Sequence, residues 1–168
     1  MSMHAWNSRV VEEAFLFNPA FCAAILGKAS TEFAKKSGQP LPFSLCFLIL
    51  PIVLHRATRS ALPHSTITSV LAWIQDNREH LVDFAGRVQH LASITREAIL
   101  FGVQHGTLSI ASDGAIQCGA SYLSPTEKRT GLFTDEARDC IERAGFLGRW
   151  FAAAGTATVI YAAWGVRP

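Results

Sequence analysis

At 168 residues the chain is long enough to bury one sizeable core and short for two. Hydrophobic residues make up 49% and charged residues 17%, against about 25% charged in an average soluble domain; with a mean hydropathy of +0.22, the surface is short of polar groups and calls for a constitutive partner, a homodimer or an unusually dense core. A net charge of +2 excludes an argument for nucleic acid from charge alone, and Glu12 and Glu13 stand where a signal peptide needs an apolar run, so a cytoplasmic protein is expected.

"SRVVEEAFLF" (8–17) predicts a short helix that stops at the Asn18-Pro19 step. "NPAFCAAILGKASTEFAKKSG" (18–38) carries both end signals of a helix, with Asn18 as cap, Pro19 in the first position and Gly38 after Lys35 and Lys36. Phe21, Cys22, Ile25, Leu26, Ala29 and Phe33 fall on one stripe. The uncharged run 41–55 follows. A membrane helix needs about 20 apolar residues, whereas this run reaches only from Phe43 to Leu54 before His55, Arg56 and Arg59, and it contains Pro51. It does not span. Leu, Phe and Cys suit a buried helix and Ile49, Ile52 and Val53 suit a strand; a helix kinked or broken near Pro51 is the reading taken.

After Pro63, Ser65 is placed to cap a helix over 66–77, and further helices are read over 78–92 and 94–106. "TLSIASDGAIQCG" (107–119) alternates about Ser112-Asp113-Gly114, which is hairpin chemistry. Three helices followed by a hairpin is the order of a winged helix-turn-helix. Ser124 and Glu127 form a capping box around Pro125. The segment 133–155 is the clearest helix, capped by Thr134, with Asp135 and Glu136 at its positive end and Gly155 closing it. The last stretch, 156–168, reads as a strand that could pair with the hairpin. The expected fold class is mainly α with a small β part, one domain over 1–168 made of a helical part (1–63), a winged-helix-like part (64–120) and a C-terminal helix and strand (121–168).

The chain lacks a GxxxxGK[ST] phosphate loop, a GxSxG elbow and an HExxH pair, and Gly145 and Gly148 lie inside a helical pattern. Cys22, Cys46, Cys118 and Cys140 are far apart without a CxxC pair and read as reduced thiols rather than zinc ligands. His4, His55, His64, His80, His90 and His105 are dispersed and read as surface or capping imidazoles. A non-enzyme with no metal and no cofactor is expected, a Cys-His pair assembled by the fold being the catalytic alternative left open. For DNA, the helix before the hairpin offers Arg96 and Gln104, but Glu97 opposes phosphate and the hairpin has Asp113 at its tip and neither Lys nor Arg, which weighs towards protein contacts. The candidate partner-binding residues are His55, Arg56 and Arg59 at the end of the apolar run, and Trp6, Trp164 and Arg167 near the two chain ends. The plainer reading of the arginines is that they solvate the end of a buried helix and offset its dipole, and of the tryptophans that they pack in the core.

Taken together and in order, "FNPAFCAAIL" (17–26), "LPFSLCFLILPIVLHRATRSALP" (41–63), "TREAILFGVQHGTL" (95–108) and "LGRWFAAAGTATVIYAAWGVRP" (147–168) resemble the middle component of three-component ABC systems. That resemblance implies a bacterial operon encoding an ABC-type ATPase related to DNA-repair and chromosome-structuring ATPases, this small protein, and a third component with an effector region, acting against phages or other mobile elements. It carries over no catalytic residues. The implied role is an adaptor between ATPase and effector; the alternative is a winged-helix DNA-binding regulator.

Overall fold

A computed structural model describes residues 17–125 and 133–167. In chain order its elements are α1 (Pro19–Ser37), a 3-10 turn (Phe43–Leu45), α2 (Cys46–Val53), α3 (Arg56–Ala61), α4 (Val70–Asp76), a second 3-10 turn (Arg78–Leu81), α5 (Phe84–Gln104), β1 (Leu108–Ile110), β2 (Ile116–Cys118), α6 (Asp135–Ala153) and α7 (Ala157–Ala163). The fold is mainly α with a small antiparallel sheet, as expected. The expected helix over 8–17 lies, apart from Phe17, outside the described residues, and so does Glu127 of the expected capping box.

Helix α1 begins where Asn18 Oδ1 accepts from the N–H groups of Ala20 and Phe21, at 2.9 and 3.3 Å, and ends at Gly38 with φ 71°. Of its expected stripe, Cys22, Ile25, Leu26, Ala29 and Phe33 are buried and Phe21 is half-buried. It packs chiefly on α6, whose start is fixed by Thr134 Oγ1 accepting from Ala137 N at 3.1 Å. The two helices approach closely because Gly148 has no side chain: a Cβ there would run into the carbonyl oxygen of Ala29. The role of Gly148 in the 133–155 pattern is therefore packing.

The apolar run becomes the centre of the core. Every residue of α2 except Phe47 is buried, Pro51 is held inside it, and the helix ends two residues later at Val53. A separate short helix, α3, then starts at Arg56, which the sequence reading treated as a break. Helix α4 begins later than expected, at Val70, with Ser69 rather than Ser65 as its cap: Ser69 Oγ accepts from Ala72 N at 3.2 Å, while Ser65 Oγ takes Ile67 N.

Two expectations are corrected. The segments 78–92 and 94–106 are not two helices. Asp83, with φ 56°, separates the turn at Arg78–Leu81 from α5, and α5 then runs unbroken for 21 residues past Ser93. Asp tolerates that left-handed conformation, whereas Ala92-Ser93-Ile94 holds no breaker, and Thr95 satisfies its hydroxyl on Leu91 O at 2.9 Å. The hairpin is where it was expected, with Leu108 opposite Cys118 and Ile110 opposite Ile116. It does not project as a wing: Leu108 and Ile116 are buried, β2 packs on α1, and Leu41 pairs with Ile116 on its edge. In place of the three expected helices, α4, a 3-10 turn and the long α5 precede the hairpin.

The second correction is the final strand. Residues 157–163 form helix α7, capped by Thr156, whose Oγ1 accepts from Val159 N at 3.4 Å. Thr, Val, Ile and Tyr favour strands weakly, but Ile160, Tyr161 and Trp164 share one helical face and are buried there. Trp73, Phe84, Trp150 and Trp164 meet in an aromatic cluster, with ring centroids 4.6–5.8 Å apart.

Candidate functional site

At the end of α2 the chain turns through His55, whose Nδ1 accepts from the backbone N–H of Thr58 at 3.3 Å and lies 2.7 Å from its Oγ1, capping α3. Burial, then the neighbouring Arg87, His80 and Arg59, holds the His55 imidazole below its ordinary 6.5, which keeps this acceptor neutral. Arg56 is exposed at the first position of α3. Arg59, a candidate partner-binding residue whose plainer reading is service to the end of the buried helix, is 3% exposed. Its Nη1 donates to Val53 O at 2.7 Å, its Nε to Asp139 at 2.6 Å and its Nη2 to Glu136 at 3.0 Å. Burial opposes the charge, yet the hydrogen bonds to Asp139 and Glu136 outweigh it and raise the guanidinium's pKa above its ordinary range. Cys140 Sγ donates to the same Val53 O, at 3.8 Å, and Arg87 reaches another carbonyl of this helix end, Pro51 O. This cluster joins α2, α3 and α6 from within the protein.

Trp164 is also internal, 1% exposed, with its indole N–H unpartnered among the described residues. Trp6 lies outside the described residues. The other candidates gather on one surface. The outward stripe of α5 runs through Ala85, Gln89, Ala92, Arg96 and Leu100, with Gln104 beyond. Arg96 borders two hollows. One, about 540 Å3, lies between α5, Phe47 of α2 and the end of α7, and Arg167 also lines it. The other, about 500 Å3, is lined by Pro19, Glu97, Leu100, Phe101 and Gln104 on the far side of Arg96. The Arg96 guanidinium stands over the Phe47 ring, 5.6 Å from its centroid. Leu100 is 70% exposed, an apolar side chain left in water beside a charge.

Chemistry by thiolate finds poor ground here. Burial pushes the Cys22 and Cys46 thiols up to about 12 and Cys140 to about 11, so they are protonated at neutral pH. Among the described residues no group of three or more His, Cys, Asp or Glu is arranged to hold a metal, and no helix is long and apolar enough to cross a membrane.

Residues 6–168 match the family model described as ABC-three component (ABC-3C) system Middle Component 3. The chain belongs to that family. Comparison with curated proteins returns no match, and neither does comparison with solved structures. As the middle component of a multi-component system, a Middle Component 3 protein has other components of that system as its partners. In this one, the structure brings Arg96 and Arg167 to the same hollow although 71 positions separate them in the chain. Sequence reading missed Phe47, Val88 and Ala92 beside them. The signal was the spacing 85, 89, 92, 96 and 100, which becomes visible only when 84–104 is taken as one helix.

Proposed function

We propose that this chain is a single-domain, non-catalytic adaptor, cytoplasmic, that links the ABC-type ATPase of its system to the effector-bearing third component, in a bacterial system directed against phages or other mobile elements. Membership of the Middle Component 3 family over residues 6–168 carries this reading. The charge-poor composition and the exposed apolar and cationic face of α5 support it, because a subunit whose work is contact needs surface rather than a reactive centre. DNA, in this reading, is reached through the ATPase.

The test is purification of the tagged protein from its native host, with nuclease treatment, followed by mass spectrometry. Recovery of an ATPase and a second large protein at stoichiometric levels is the expected result. Recovery alone, or only with nuclease-sensitive DNA-binding proteins, would overturn the adaptor role and favour a DNA-binding regulator.

A further inference from the structure

We propose that the hollow between Arg96 and Arg167 seats one segment of another component of the system: an apolar anchor side chain flanked by Asp or Glu. The inference deepens the adaptor reading and rests on it. The size, about 540 Å3, suits one or two side chains rather than a folded surface. Phe47, Val88, Ala92 and Val166 supply apolar wall, while Arg96 and Arg167 supply cations, and among the described residues no carboxylate lines it. An apolar anchor alone would leave both guanidiniums facing low-dielectric contact unpaired; an acidic segment with no anchor would leave the apolar wall in water.

The two arginines differ from most of their kind in this chain. Arg59, Arg87, Arg143 and Arg149 are each held by carboxylates, carbonyls or a hydroxyl of the fold. Among the described residues neither Arg96 nor Arg167 has an acidic partner. Arg96 is nevertheless positioned, because the Phe47 ring holds its guanidinium at the mouth, so less freedom is lost when a carboxylate arrives. A nucleic acid backbone fits less well. It needs a row of cations along successive phosphates, and here two cations border an apolar wall with Glu97 in the adjoining hollow.

The experiment uses the full chain co-expressed with the ATPase and the third component of its own operon. The variants are Arg96→Glu, Arg167→Glu, their combination, and Ala92→Trp, which fills the hollow with an indole. Arg78→Glu, at an exposed arginine outside the lining, is the control. Each protein is first shown to keep the wild-type melting temperature within a few degrees. The expected result is a loss of affinity for one component of about tenfold per single reversal and more for the pair, a similar loss for Ala92→Trp, and none for Arg78→Glu. A photo-crosslinking phenylalanine analogue at Gln89 should capture, from that component, a peptide containing an apolar residue between acidic ones. Wild-type assembly that survives all four hollow variants would overturn the seat and leave the adaptor reading standing. Failure of the wild-type chain to assemble with either component would overturn both. A crosslink to a second copy of this chain would also overturn the seat, as would variants that change only binding to a nuclease-sensitive duplex.

Discussion

Two arginine-bearing regions of this molecule follow similar sequence patterns and meet opposite fates. "LHRATRS" places Arg59 just after the most apolar run of the chain; α5 and the chain end place Arg96 and Arg167 beside Phe47, Val88 and Val166. At the first region α6 crosses overhead and brings Asp139 and Glu136 to the guanidinium, while the Val53 carbonyl at the end of α2 accepts its third hydrogen bond. At the second, no described element crosses, and Arg96 and Arg167 are exposed. What decides between a structural and a recognition arginine is the neighbour that the tertiary fold delivers, which local sequence does not encode.

The comparison breaks most visibly if Arg59 is removed. Arg59→Met should cost about 2–4 kcal/mol in urea denaturation, mainly because Val53 O, buried, is left with only the weak Cys140 thiol as a donor; Asp139 and Glu136, both partly exposed, recover water. Gly148→Val comes next, at about 2–3 kcal/mol, since its side chain would push α6 away from the Ala29 carbonyl and open the seam that carries Asp139 over Arg59. Both variants should lower stability and leave any surviving folded protein able to assemble.

These two positions also mark how much could be read beforehand. Helix ends with side-chain signals, Asn18, Gly38 and Thr134, were legible, and so was the hairpin at Ser112-Asp113-Gly114, because each rests on local chemistry. The strand expected over 156–168 failed because strand propensity is weak beside the burial of Ile160, Tyr161 and Trp164 on one helical face. The break placed inside 78–106 fell in the wrong place because the real interruption is a left-handed Asp83 rather than a Gly or Pro. Of the candidate site, Arg96, Gln104 and Arg167 were named from residue type, but for separate purposes. Their shared surface depends on the chain after α7 lying along α5, where Trp164 packs on Phe84, and no local pattern announces that course.

Acid should act on folding stability in two stages, first at His55 beside Arg59 and then at Glu32 on α1. His55 is held below its ordinary 6.5, so unfolded chains bind more protons than folded ones just below that value; its contribution is present above pH 6.5 and lost as pH falls through the lowered pKa. Glu32, despite a burial that would raise it, is brought down to about 2 by Lys35, Arg149 and Lys28; its contribution is present above 4.5 and lost as pH falls towards 2. Melting temperature followed from pH 7.5 to 2.5 should show both limbs. His55→Asn keeps a cap and should flatten the upper limb, and Glu32→Gln the lower one. An unchanged upper limb in His55→Asn would mean that another group titrates there.

The smallest effect is the most discriminating. Arg167→Met should change folding stability by less than about 0.5 kcal/mol, as for other exposed side chains with no partner in the fold. Arg96→Met should lose little more than the attraction of an exposed cation for an aromatic face, at most about 0.5–1 kcal/mol, and the Met stem can still cover Phe47. A loss of 2 kcal/mol or more at Arg96 would put it beside Arg59 as a residue that holds α5 on α2, and the contrast between the two regions would collapse. A near-zero loss, with assembly impaired by the same substitution, would mean that Arg96 is kept for something outside the chain.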